Sequence, residues 1–440
     1  MSSRTIVVGA GLSGLTAAYA LIRSGMDAVL LERSQRPGGV VRTERRDDFL
    51  LEAGPNTVRS TPEIHYLVRE LGLSGQMLVA NPRAARYLDF RGRLLPLPSS
   101  PGAFLTTSLL SPGAKLRLLA EPFRGRRSRE DESVFDLFSR RLGPEVAERI
   151  VEPFVGGIFA GNSSLLEAAA AFPTLVRWER AHGSFLRGAF LERRARRGEP
   201  SAPKGLLSFR EGLETLPRAL ARALGQSLRL ATPALGIERR NGNWVVRTPA
   251  GDFEGAGLVL AVPAAAASAL IGPISAEASD ALDGIPHPAL AVLHLAWARA
   301  DLMRPLDGFG HLVVPDPSRR ILGAVWSSSL FSNRAPEGYA LLTVFLGGAR
   351  DPEAMGLSDE ELAVVAARDL EAERVARGSP RVVMITRWDG AIPQYEKGHL
   401  RRIEALASAE AALPGLRFLG SYRGGVSVGD VVRNALTLRA

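Results

Sequence analysis

Residues 5–15 read TIVVGAGLSGL. Four β-branched residues run into glycines at 9, 11 and 14, and LSGLTAAYALIRSG then carries alanine and leucine at helical spacing. Strand, glycine turn and helix are expected in that order. In the pattern G-x-G-x-x-G each glycine has a separate role. Gly9 makes the tight turn, Gly11 lets a diphosphate approach the main chain, and Gly14 lets helix pack on strand. Leu12 and Ser13 open the helix, whose N-terminal amides and positive dipole end suit phosphates. A second strand, DAVLLE, ends at Glu32, where a carboxylate can accept hydrogen bonds from an adenosine ribose; Arg33 follows. This succession predicts an α/β chain with a Rossmann-like dinucleotide-binding domain.

Composition sets the limits. The chain has 440 residues, 46% of them hydrophobic, enough for a large core divided among two or three regions. Its net charge of +9 favours anionic partners: nucleic acid, an acidic membrane surface or a carboxylate-bearing substrate. No aromatic and basic interleaving or known nucleic-acid module accompanies that charge, so no nucleic-acid partner is expected. With no cysteine, thiolate metal sites, disulfides and a cysteinyl link to a cofactor are all excluded. The six histidines, 65, 182, 287, 294, 311 and 399, show no metal-ligand spacing, and no metal is expected. The start MSSRTIVVGAG enters a strand at once, without the succession of a signal peptide, and the expected compartment is the cytoplasm. The long uncharged run before Glu277 is divided by Pro263 and reads as strand, turn and short helix rather than a membrane span.

The stretch 33–57, RSQRPGGVVRTERRDDFLLEAGPNT, carries a Gly38–Gly39 pair, an arginine at 42 and the run EAGPN. Adjacent glycines permit close approach of main chain to ligand, and an arginine compensates diphosphate charge. This continuation resembles the amine oxidase and protoporphyrinogen oxidase superfamily of FAD enzymes. The resemblance implies FAD as cofactor, held at Gly38, Gly39, Val40 and Arg42 and at a loop beside the isoalloxazine formed by Gly54, Pro55, Asn56 and Thr57. It also assigns main-chain contacts to the adenine near Ala234, to the flavin at Gly425, Val426 and Ser427, and a place near the flavin to Trp388.

Later blocks resemble, in order, the landmarks of the protoporphyrinogen oxidases: PNTVRST, ARYLDFRGRLLPLPSS, GGIFAGNSSLLEAAAAFPTL, DGFGHLVVP, LGAVW and IPQYEKGH. The implied organisation is an FAD-binding domain in three parts (1–80, 204–272 and 413–440), a mixed-sheet substrate domain from 81–90 and 273–412, and a helical membrane-binding insertion over 91–203. Within it, residues 208–224 read as helix, and the runs between 285 and 400 as strands of an antiparallel sheet over the flavin. The insertion has two arginine clusters, FRGRRSRED and ERRARRGEP, beside apolar residues; a peripheral membrane surface and solvated helix faces both account for them.

By the same resemblance Arg86 pairs with a substrate propionate, Gly157 faces the reacting carbon with Ala160 close by, and Phe309, Leu312, Val325 and Phe345 sandwich a tetrapyrrole. A planar guanidinium binding a carboxylate and flat apolar walls fit such a ligand. The implied chemistry is hydride transfer from a porphyrinogen meso carbon to flavin N5, with dioxygen as final acceptor giving hydrogen peroxide. Three rounds remove six electrons, and no side chain is assigned as acid or base. Further implied partners are the inner face of the cell membrane, a second copy of the chain and a ferrochelatase that takes the product. Two alternatives stay open: coproporphyrinogen III as substrate, and a non-catalytic flavin- or tetrapyrrole-binding protein.

Overall fold

The computed structural model describes residues 4–81, 84–98, 100–125, 129, 131–195, 197 and 205–438. Three distant segments build one parallel sheet, with Leu228–Arg229, Ala28–Leu31, Thr5–Val8, Gly257–Leu260 and Leu416–Phe418 in spatial order. Its strands are apolar on both faces because each face is covered. Val7 and Val259 pack toward helices Leu12–Arg23, Thr215–Leu224 and Val428–Leu436; Ile6, Val8, Leu258 and Leu260 pack toward a three-stranded meander and helices Ala264–Ile271, Ala276–Asp283 and His399–Ala412. The sequence reading of 208–224 as one helix is corrected. Leu206–Phe209 is a strand, and the helix starts only at Thr215, because the chain turns at Gly212 with φ +85°.

The second sheet has seven strands in the order Arg381–Trp388, Leu290–Ala298, Tyr339–Gly347, Ile321–Val325, Gly308–Val313, Ala85–Phe90 and Arg93–Pro96. As expected, the strands between 285 and 400 pair antiparallel with one another, and the sheet as a whole is mixed because Ala85–Phe90 enters from far upstream and pairs parallel with Gly308–Val313. Arg93–Pro96 closes a hairpin on it, so residues just past 91 are strand before the helices begin.

The described residues between 101 and 195 are mostly helical, with Ser100, Ser111 and Ser133 each accepting a hydrogen bond from a first-turn amide. Their centre is ionic. Glu121 and Arg141, both fully buried, pair with each other, while Arg140 donates to Glu132 and to Glu179 at 2.7 Å. Glu121 also accepts from Ser184 Oγ (2.6 Å) and the Phe185 amide (2.9 Å), which caps helix Phe185–Ala195. Of the two arginine clusters, residues 126–128 and 130 of the first and 196 and 198–200 of the second lie outside the described residues.

Candidate active site

The three fingerprint glycines meet three different surroundings. Gly9 stands at φ +99°, and a Cβ there would lie 2.7 Å from Ala261 O. A Cβ on Gly14 would overlap Gly9 O, so helix Leu12–Arg23 rests directly on the first strand. A Cβ on Gly11 would meet nothing within 4 Å, which leaves that side of the turn open beside the helix N-terminus. Leu12 and Ser13 are buried in the first turn. Closed, open and closed is what a diphosphate cradle requires.

Glu32 follows the second strand and is fixed from two sides. Its Oε2 accepts from the Ala10 amide at 2.7 Å, and its Oε1 from the Ser34 amide at 2.8 Å. The Thr232 amide donates to Glu32 O at 2.7 Å, which brings the segment leading to Ala234 beside this acid. Arg33 and Val40 are exposed.

Gly38 and Gly39 both adopt positive φ, +110° and +58°. The Gly38 amide donates to Ala10 O at 2.8 Å, and a Cβ on Gly39 would stand 3.1 Å from Gly11 Cα, so this pair lies against the first glycine turn. Arg42 pairs with Glu44. A Cβ on Gly54 would overlap Val40 O, which sets the start of the 54–57 loop against the residue that follows the glycine pair; Pro55 and Thr57, further along that loop, are half-buried. Asn56 Nδ2 donates to Gly54 O at 3.2 Å. Trp388, last in its strand, donates Nε1 to Ala53 O at 2.8 Å and ties the second sheet to that loop. At the other end Gly425 stands at φ +122°, Val426 packs into the helical region, and Ser427 caps helix Val428–Leu436 by accepting from the Asp430 amide.

The residues expected to meet substrate fall into three neighbouring groups on the second sheet. The exposed Arg86 holds its guanidinium 5.4 Å over the Phe309 ring, and Phe309 packs with Val325 around Leu330 and Phe331. Gly157, in helix Glu152–Phe159, lies against Leu312 so tightly that a Cβ would overlap Leu312 Cδ2. Ala160, at φ +49°, clusters with Phe345, Leu322 and Trp388. Val325 and Asn56 line one small cavity of about 10 Å³ with Glu52, Ser327, Arg334 and Thr343. A larger cleft of about 410 Å³, bordered by Phe90, Arg91, Arg149, Glu152 and Arg350, contains none of the predicted residues.

Sequence reading missed a buried polar chain behind these loops. Glu52 Oε2 accepts from Thr43 Oγ1 at 2.7 Å and its Oε1 from the Leu213 amide at 2.9 Å, while Arg334 lies 3.6 Å away. The Thr43 amide donates to Glu214 at 3.0 Å, and Glu214 lies 3.8 Å from Arg36, which donates to Gly39 O. Burial pushes the Glu52 carboxyl up to about 7, against the pull of Thr43, Arg334 and the Leu213 amide and with a push from Glu214. The neighbouring His294, whose Nε2 lies 3.1 Å from Glu52 O, is driven by burial down to about 4. An acid inside the apolar run FLLEAG was the available signal for Glu52; Arg334 and Glu214 left none.

The pattern of the flavin-containing amine oxidoreductases matches residues 12–437, and the chain belongs to that family. It is 33% identical over 460 residues to the chloroplastic protoporphyrinogen oxidase of Nicotiana tabacum, covering 98% of this chain and 83% of that one. It is 26% identical over 452 residues to the coproporphyrinogen III oxidase of Bacillus subtilis (strain 168), covering 97% and 95%. A crystal structure of a provisionally named protoporphyrinogen oxidase from Exiguobacterium sp. 255-15 superposes with a TM-score of 0.83 at 26% identity, covering 100% of this chain and 98% of that one. The protein is therefore a flavin-dependent oxidoreductase, with FAD as its cofactor.

Proposed function

We propose that this chain oxidises protoporphyrinogen IX to protoporphyrin IX in haem biosynthesis, removing six electrons in three rounds with dioxygen as acceptor and hydrogen peroxide as by-product. The observation that carries this reading is the full-length similarity to the tobacco enzyme, joined to a sheet face that sets Arg86, Phe309, Leu312, Val325 and Phe345 near Gly157 and the flavin loop. FAD, when bound, supplies the acceptor for hydride from a meso carbon and the route of electrons to dioxygen. The protein's own part is orientation and exclusion of water. Arg86 binds a propionate through its planar guanidinium, and Phe309, held under that guanidinium, offers a ring to the macrocycle. Gly157 keeps its helix close to Leu312, so the wall opposite the sheet stays narrow and free of side chain. Trp388 fixes the distance between that sheet and the loop 54–57.

An aerobic assay of the FAD-loaded protein with protoporphyrinogen IX and coproporphyrinogen III side by side, read by porphyrin fluorescence, tests the proposal. Faster oxidation of the first supports it. Faster oxidation of the second moves the protein to the step named for its Bacillus subtilis relative. With flavin bound and neither substrate consumed, the substrate assignment fails.

The same reading puts the chain in the cytoplasm at the inner face of the membrane. Supporting it, Leu116, Phe123 and Phe190 are 68%, 83% and 64% exposed, next to Lys115, Arg187, Arg193 and Arg194. The turn Glu121–Phe123 packs on helix Phe185–Ala195, which joins these apolar residues in one region. Among the described residues no helix is long and apolar enough to cross a membrane. Sedimentation with anionic vesicles tests this part. A homodimer and hand-over of product to a ferrochelatase complete the proposal and rest on the family resemblance.

A further inference from the structure

Between helix Glu152–Phe159, which carries Gly157, and the loop at Gly425–Ser427 stands one buried dipeptide, Gln394–Tyr395, whose two side chains reach in different directions. Gln394 Nε2 donates to Phe159 O at 2.7 Å and to Ile392 O at 2.9 Å. Phe159 ends the helix that carries Gly157, and the next residue, Ala160, turns the chain at φ +49° and accepts from the Ala349 amide at 2.8 Å. Gly161 lies against the same amide, since a Cβ there would stand 2.5 Å from Gln394 Oε1 and displace it. Tyr395 faces the other way. Its hydroxyl donates to Ser421 O at 2.5 Å and accepts from the Gly425 amide at 3.1 Å. Its ring stacks on His399 with centroids 4.1 Å apart and meets Phe159 edge-on at 5.9 Å.

The main chain of the dipeptide is anchored independently of these side chains. The Gln394 amide donates to Pro286 O at 2.8 Å, and Tyr395 O accepts from the Glu167 amide at 2.7 Å. Both side chains are essentially inaccessible to water, where a hydrogen bond is directional and a lost partner is not replaced by solvent. The geometry points to Gln394 and Tyr395 as paired positioning residues: Gln394 sets the end of the helix that presents Gly157, Tyr395 sets the loop at Gly425–Ser427, and together they fix the gap between hydride donor and flavin. This inference rests on the proposed reading that Gly157–Ala160 meet substrate and Gly425–Ser427 meet FAD. Neither side chain touches the reacting atoms.

The test separates the two ends. Tyr395→Phe keeps the ring stack and removes both hydroxyl bonds; Gln394→Met keeps the length and removes the amide. FAD release from the holoenzyme, followed by flavin fluorescence, and steady-state oxidation of protoporphyrinogen IX are measured for both, with thermal midpoints as control. Expected for Tyr395→Phe is a Kd for FAD raised roughly tenfold. Expected for Gln394→Met is an unchanged Kd for FAD with kcat lowered roughly tenfold and KM unmoved. Equal effects of both variants on FAD affinity, in step with a fall in thermal midpoint, would make the pair merely structural and overturn the inference. Unchanged values in both variants would also overturn it. The FAD measurement needs no substrate, so it stands even if the wild-type protein oxidises no porphyrinogen; in that case the functional reading fails and the Tyr395 half is still decided.

Discussion

Gly157 and Leu312 touch so closely that any side chain at 157 would overlap the leucine's Cδ2. The helix carrying Gly157 therefore approaches the second sheet as nearly as two backbones and one leucine permit. Gly157→Ala is expected to push Leu312 into the substrate space, at about 1–3 kcal/mol of overpacking. Displacement of this size costs roughly a hundredfold in kcat/KM. FAD content should stay at the wild-type level, and steady-state kinetics beside flavin absorbance check both halves.

Gly11 and Gly14 make a paired prediction. Gly14→Ala drives a methyl into Gly9 O and should lower stability by about 3 kcal/mol or more. Gly11→Ala meets no protein atom, so the FAD-free protein should melt as the wild type does while the Kd for FAD rises at least roughly tenfold. Calorimetry and FAD titration of both variants give the answer; a Gly11→Ala protein that binds FAD normally would remove the diphosphate from that turn.

Arg86→Ala should raise KM for the porphyrinogen about 10- to 100-fold, the worth of hydrogen bonds to one carboxylate, with kcat and FAD binding near wild type. Its side chain is exposed, with the guanidinium over the Phe309 ring, so its loss leaves the fold intact. Kinetics unchanged by the substitution would take Arg86 out of the site.

Glu121→Ala takes away the nearer carboxylate of the buried Arg141, leaving it Glu179 Oε1 at 3.5 Å, and uncaps helix Phe185–Ala195. The expected loss is about 3–5 kcal/mol, confined to the helical region. Burial alone raises the pKa of Glu121, but bonds from Ser184, Arg141 and the Phe185 amide outweigh it and hold the group below the ordinary carboxylate value. Far-ultraviolet circular dichroism during thermal melting, with FAD release followed in parallel, would show the helices failing first.

Glu52 predicts a pH dependence. Its carboxyl sits at about 7 when folded against 4.5 unfolded, so between these values the folded state holds the extra proton and stability falls as pH rises. Removing this group should bring the variant Glu52→Gln a relative gain on the order of 3 kcal/mol from pH 4.5 to pH 7. His294 and His399 act in the opposite sense: each is held at about 4, against 6.5 unfolded, so their contribution grows as pH rises from 4 to 6.5. Denaturant melts of wild type and variant across this range isolate Glu52, since the histidines are common to both. Parallel curves would mean that Glu52 titrates normally.

The nucleotide-binding half was legible in the sequence because its signals are local. Strand, Gly9, Gly11, Gly14, helix and Glu32 occupy one short stretch, and the sterics of each glycine act on immediate neighbours. The apolar strands of the second sheet were legible by composition, but their partners were not. Ala85–Phe90 pairs with Gly308–Val313, and nothing in either stretch announces a parallel neighbour. Tertiary structure alone joined Trp388 to Ala53, 335 positions apart, and set Arg334 beside Glu52 and Tyr395 beside Gly425. Such contacts exist because packing carries distant polar groups out of water together, where each must find a partner. Periodicity within a segment records which face is buried, and is silent about what it is buried against.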